Sequence, residues 1–117
     1  MSALDKAVAE LEAKRTTEES ERRTRLQAAS AFLKEFFDAD IATSKKLKDN
    51  GVQAAFDGTR IVLRKPEEGV YAEAMIIVVG EQGEIDVSGR SLGPVNAADR
   101  DVKKKELIAD IIAHFSL

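Results

Sequence analysis

The chain has no cysteine and no tryptophan, one histidine, one tyrosine and two prolines among 117 residues. Without cysteine, disulfides and thiolate metal sites are excluded, and the composition leads to the expectation of a reducing, cytoplasmic setting. A single histidine, His114, removes multi-histidine metal sites and leaves one imidazole for any triad. It stands near the end of the last helix, where an imidazolium suits the negative end of the dipole. The longest unbroken apolar run, Ala74 to Val79, has six residues, far fewer than the ~18 a membrane helix requires. Met1-Ser2-Ala3-Leu4-Asp5-Lys6 carries an early acid and no apolar continuation, so no secretory signal is expected.

Charge of one sign is also lacking. The formal net charge is −3, from 18 basic and 21 acidic residues. Residues 1–48 hold 10 bases and 9 acids, residues 49–92 hold 4 and 8, and residues 93–117 hold 4 and 4. A duplex-DNA binder needs a basic face to neutralise phosphates, and no segment has that excess. Short basic clusters do occur: Arg22, Arg23 and Arg25, then Lys45, Lys46 and Lys48, then Lys103, Lys104 and Lys105. They support nucleic-acid binding as an alternative function. It is the less favoured one, because acids lie nearby and aromatic stacking platforms are few.

The chemistry of the usual enzyme motifs is missing as well. Asp38-x-Asp40 begins like a calcium loop, but Thr43 stands where that loop needs glycine. Gly80-x-x-Gly83 lacks the Lys-Ser/Thr of a phosphate loop, and Gly89 to Gly93 is not followed at once by a helix start, so both read as turns. The acids Glu67, Glu68, Glu73, Glu81, Glu84 and Asp86 fall at turns or alternate outward, as a solvated rim does. No catalytic, cofactor or metal residue is assigned.

What is present is patterned. Leu4, Ala7, Val8 and Leu11 recur at spacings of three and four, one stripe of an amphipathic helix. Between Glu12 and Arg25 only Ala13 is apolar, while Glu18, Glu19 and Glu21 each precede an arginine by four residues. That stretch is a solvated helix, or it breaks at Thr16-x-x-Glu19, which has the form of a capping box. The stripe resumes with Leu26, Ala29, Phe32, Leu33, Phe36, Phe37, Ile41 and Leu47, and Gly51 suits a left-handed helix end.

Two hairpins follow. Asp57-Gly58 signals a two-residue turn that places Phe56 opposite Thr59, Ala54 opposite Ile61 and Val52 opposite Leu63. Lys65 to Gly69 turns the chain into a third strand, Val70 to Val79, with Ile76 and Val78 on one side and Met75, Ile77 and Val79 on the other. Gly80 to Gly83 leads to a fourth, Glu84 to Ser88. The last helix starts near Asn96, with Asp99 three residues on, and shows Val102, Leu107, Ile108, Ile111, Ile112 and Phe115.

The expected fold is therefore α+β: a long N-terminal helix, a four-stranded antiparallel meander and a C-terminal helix, with the helices on one sheet face. Residues 1–25 form a solvated, protruding helix and residues 26–117 a single α+β domain. The third strand is apolar on both sides, and the other face, carrying Val62, Met75, Ile77 and Val79, has no helix left to cover it. The function expected is a non-enzymatic protein-interaction module, an adaptor, inhibitor or assembly factor that self-associates and presents its N-terminal helix to a partner. Its contact residues are Leu4, Val8 and Leu11 on the helix and that sheet patch. A third alternative, a small-molecule binding protein or enzyme, rests on a pocket between helices and sheet. The partners expected are a second copy or another protein, and no membrane.

Overall fold

The computed structural model describes residues 2–66 and 74–117. Helix α1 runs from Ala3 to Phe36 without a break, followed by a π-helical turn, Phe37–Ile41, and a short helix α2, Lys45–Asp49. Five strands follow, β1 (Gln53–Phe56), β2 (Arg60–Arg64), β3 (Met75–Val79), β4 (Glu84–Val87) and β5 (Arg90–Pro94), and then helix α3, Arg100–Phe115. The strands form one antiparallel sheet in the order β1-β2-β3-β4-β5. The fold is α+β as expected, with five strands where four were read. Glu67, Glu68, Gly69 and residues 70–73, where the turn and the start of the third strand were expected, lie outside the described residues.

Thr16 and Thr17 do not break α1. Their hydroxyls donate to the carbonyls of Glu12 (2.9 Å) and Ala13 (3.0 Å) one turn back, so the residues sit inside the helix rather than capping a new one. Ser2 is the N-cap, its hydroxyl accepting from the Asp5 amide at 3.1 Å.

The π-turn solves a problem of phase. Along α1 the buried residues are Ala29, Phe32, Leu33 and Phe36, and an ordinary helix would next turn Asp40 to the core. The wider turn, closed by the Ala42 amide on the Phe37 carbonyl at 2.8 Å, brings Ile41 inward instead. Asp40, left at the edge, pairs with Lys104 of α3 at 2.9 Å. Helix α2 then ends on Gly51 at φ +73°, with amides of Gly51 and Val52 donating to carbonyls of Lys48 (3.0 Å) and Leu47 (2.9 Å). This is the paired closure typical of a glycine helix end, and Leu47 and Val52 bury their side chains beside it.

The β1–β2 register differs from the expected one by two residues: Phe56 lies opposite Ile61 and Ala54 opposite Leu63. Asp57 lies just past β1, its amide donating to the Arg60 carbonyl at 3.1 Å, and its carboxylate accepts the amides of Thr59 (3.2 Å) and Arg60 (3.0 Å), so that Gly58 alone needs positive φ. A two-residue slip keeps every side chain on its face. The fifth strand follows a tight turn at Ser88-Gly89, both at positive φ. The sequence reading of Gly89 to Gly93 as a turn gives way to this strand, and an edge strand tolerates the Gly93 and Pro94 within it.

Ile61, Leu63, Met75, Ile77, Ile85 and Val87 line the covered sheet face. Against them pack the last third of α1, Ile41, Leu47 and the buried side of α3, namely Leu107, Ile111 and Phe115. Val102, expected on that side, is exposed, and Lys103 is buried instead, its ammonium donating to the Leu92 carbonyl at 2.8 Å and pairing with Asp99 at 3.4 Å. Arg100–Glu35 and Arg90–Asp110 ion pairs tie α3 to α1 and to the sheet.

Helix α3 starts at Arg100, one turn later than expected, with Asp99 accepting the Asn96 amide at 2.9 Å. The Asn96 amide, then Lys103, holds the Asp99 carboxyl below the usual aspartate range. The Thr59 amide, then the Arg60 amide and charge, does the same for Asp57. A depressed folded-state value contributes stability above the ordinary aspartate pKa and loses it as pH falls through that value. Urea midpoints between about pH 2 and pH 6 should therefore decline below about pH 4, and decline less in an Asp57→Ala, Asp99→Ala double variant.

Candidate interaction surfaces

Every residue from Ser2 to Arg25 is exposed. At about 1.5 Å per residue, that stretch projects by roughly 30 Å from the packed part of α1, and the long axis of the molecule reaches 70 Å. On it Leu4, Val8 and Leu11 stand 73%, 44% and 54% exposed, side by side on one stripe.

The base of this overhang is braced. The β3–β4 turn approaches α1 so closely that Arg22 donates from Nε to the Glu81 carbonyl at 2.9 Å and Arg25 from Nε to the Gln82 carbonyl at 3.2 Å. The i,i+4 partners expected for these two arginines, Glu18 and Glu21, form no ion pair with them among the described residues, and only Arg23–Glu19 pairs, at 3.7 Å. The two arginines themselves carry no sequence signal for this brace, since the acceptors of their Nε groups are backbone carbonyls.

The sheet patch needs correction. Ile61 lies opposite Ile77 and Leu63 opposite Met75, so Met75 (2% exposed) and Ile77 (0%) belong to the core face, with Val79 packed beside them. They are enclosed by the chain's own helices and form no open surface. Val62 is on the opposite face, opposite Ile76, with Val78 opposite Arg60. That outer face is mixed: half-buried Val62 and Val78 and the 37% exposed Ile76 are flanked by Arg60, Arg64 and Asp86.

Nor do the basic clusters form one surface. Arg22 and Arg25 are turned onto the β3–β4 turn, Arg23 is paired, and Lys103 is buried. Lys104 holds Asp40, whose hydrogen bond and charge raise the lysine's pKa. Lys45, Lys46 and Lys48 remain exposed on α2.

Beside those lysines opens an apolar cleft of ≈310 Å³, walled by Ile41 and Leu47 on one side and Ile108, Ile111, Ile112 and Leu117 on the other. It lies between helices, not between helices and sheet. In the sequence Ile108, Ile111 and Ile112 share one helix stripe, and nothing in that pattern separates residues that pack on the core from residues that line this opening. Among the described residues, no group of three or more His, Asp or Glu side chains is placed to hold a metal ion, and no helix is long and apolar enough to cross a membrane.

Comparison of the sequence with protein-family models, curated proteins and solved structures finds no match.

Proposed function

We infer that this protein is a non-enzymatic interaction module, an adaptor, inhibitor or assembly factor, which self-associates and uses its N-terminal helix as the contact surface. The exposed stripe on the braced overhang carries this reading. A helix that protrudes stably spends no further conformational freedom on becoming helical when it docks. Burying each of its large apolar side chains contributes about 1.5–3 kcal/mol. Leu4, Val8 and Leu11 contribute little to the fold, because they lie outside the core.

A Leu4→Asp, Leu11→Asp double variant separates contact from folding. Light scattering should give a mass of more than one chain for the unaltered protein and of one chain for the variant. The stability of the folded unit should change by no more than about 0.5 kcal/mol, as for other surface substitutions. A single-chain mass for the unaltered protein up to high micromolar concentration overturns self-association.

A further inference from the structure

The two edges of the sheet are finished differently. At β5 the Leu92 carbonyl accepts the Lys103 ammonium at 2.8 Å, the Gly93 amide donates to the Ser91 hydroxyl at 3.2 Å, and Pro94 has no N–H to offer. At β1 stand Gln53, Ala54, Ala55 and Phe56, with no charge, no proline and an unbroken register against β2, and the first three are exposed. An edge without such devices is a template for another strand. Its free groups follow from the ladder. The Asp57 amide donates to the Arg60 carbonyl at 3.1 Å, so by alternation Ala55 bonds to Val62 and Gln53 to Arg64. The amides and carbonyls of Ala54 and Phe56 therefore point away from β2, and no partner for them stands among the described residues. The Val52 amide is already taken by the Leu47 carbonyl at 2.9 Å, which ends the free edge there.

We propose that β1 pairs antiparallel with β1 of a second copy of this chain, about a two-fold axis at Ala55. This contact goes beyond the helix surface proposed above. With Ala55 opposite the partner's Ala55, each Ala54 meets the partner's Phe56, and each such pairing exchanges N–H and C=O in both directions. Two bonds in each of two pairings make four, and every free group is used. Other registers do worse. An axis at Ala54 pairs Phe56 with the partner's Val52, whose amide is spent, and an axis at Phe56 runs Ala54 into the partner's Gly58 in its turn.

The side chains agree with this register. Alanines meet at the axis, and on the helix-covered side Phe56, stacked on Phe37 at 5.6 Å, comes over the partner's exposed Ala54. On the outer side Ala55 extends the apolar row of Ile76 and Val62. No like charges stand opposite each other: Gln53 meets the partner's Asp57, Asp57 is paired within its own chain with Arg60 at 3.5 Å, and Arg64 lies beyond Gln53. This self-match favours a second copy over a foreign strand. The axis is normal to the sheet, so it turns the two α1 overhangs in opposite directions and leaves both stripes free.

A four-residue edge buries less than the roughly 1,200 Å² at which stable complexes begin, so covalent trapping reads the contact better than mass alone. The absence of cysteine makes trapping direct. Ala55→Cys and Gln53→Cys, both exposed on the outer face, are made as full-length proteins and mildly oxidised at the same high concentration. In the proposed register the two Ala55 Cα atoms lie about 4.5 Å apart, within disulfide reach, and the two Gln53 Cα atoms about 14 Å apart, beyond it. Disulfide-linked dimer should form about tenfold faster from Ala55→Cys than from Gln53→Cys. Adding Ala54→Pro to Ala55→Cys should cancel that advantage, because it removes an outward N–H and no bond to β2, and the reduced protein should melt within a few degrees of its parent. The advantage should persist with Leu4→Asp and Leu11→Asp; its loss there would assign the crosslink to the helix and overturn the edge contact. Equal rates for the two cysteines, a faster Gln53→Cys, or an advantage untouched by Ala54→Pro overturns it too. An absence of crosslinks beside a mass above one chain for the unaltered protein would remove the edge contact and leave the helix reading standing.

Discussion

Ile77→Asp is expected to abolish folding, while Ile76→Asp, one residue away on the same strand, leaves a folded protein. Ile77 is fully buried, opposite Ile61 on β2 and Val87 on β4. A carboxylate placed there loses the isoleucine's contacts and meets apolar neighbours that cannot hydrogen-bond to it. Loss of a core isoleucine costs about 2–5 kcal/mol. The buried charge adds several more, or the acid protonates with its pKa raised and still leaves a polar group unsatisfied. Such a sum consumes most of the roughly 5–15 kcal/mol typical of a whole domain. No cooperative thermal transition should remain at about pH 7. Ile76 points to the outer face, where Val62 stands opposite it and its side chain already meets solvent. Its replacement should shift stability by about 1 kcal/mol. Circular dichroism melts of the two variants decide the matter, and the reverse order would mean that the helices cover the other face of the sheet.

That pair also marks where the sequence stops being readable. The run Ala74 to Val79 dictates a strand needing shelter, but a continuous apolar run has no alternation to say which side faces the helices. On β2 the alternation is legible, with buried Ile61 and Leu63 against exposed Arg60 and Arg64. Carrying that side across to β3 requires the parity of the connection, which spans ten residues between Arg64 and Met75 rather than a tight turn. Turn chemistry fixes parity only in short hairpins. A change in that parity therefore carries Met75, Ile77 and Val79 together from one face of the sheet to the other. By contrast, the two-residue slip at Asp57-Gly58 moved nothing across the sheet.

The N-terminal overhang was legible for a plain reason: between Glu12 and Arg25 only Ala13 could join a core. The π-turn left a trace as well. The spacing from Phe36 to Ile41 is five residues, where an α-helix would return to the same side after four and meet Asp40. The cleft left none, since it is made where the π-turn, α2 and α3 converge, and no local pattern records their angle. The brace between Arg22, Arg25 and the β3–β4 turn is equally silent, apart from the glycine that permits it.

That glycine is Gly83, and Gly83→Ala should destabilise the protein far more than Gly58→Ala. Both residues adopt positive φ, +80° and +102°, so both substitutions meet the left-handed penalty. That penalty is about 1–2 kcal/mol for a residue with a Cβ. At Gly58 nothing lies within 4 Å of the added carbon, and the penalty is the whole cost. At Gly83 the new Cβ would stand 2.7 Å from the Cβ of Arg25 and 2.8 Å from its carbonyl carbon. These atoms belong to the frame of α1 and cannot swing aside as a side-chain tip would. The turn must back away from the helix, and with it go the Glu81 and Gln82 carbonyls that accept from Arg22 and Arg25. A total of about 3–4 kcal/mol is expected for Gly83→Ala, in the upper range for single substitutions and attributable to strain plus a backbone clash. Denaturant midpoints give the difference between the two variants. Hydrogen exchange locates it: amides around Arg22 and Arg25 should lose protection in Gly83→Ala and keep it in Gly58→Ala. Equal losses of stability in the two, with unchanged exchange in α1, would show that the β3–β4 turn does not rest on the helix.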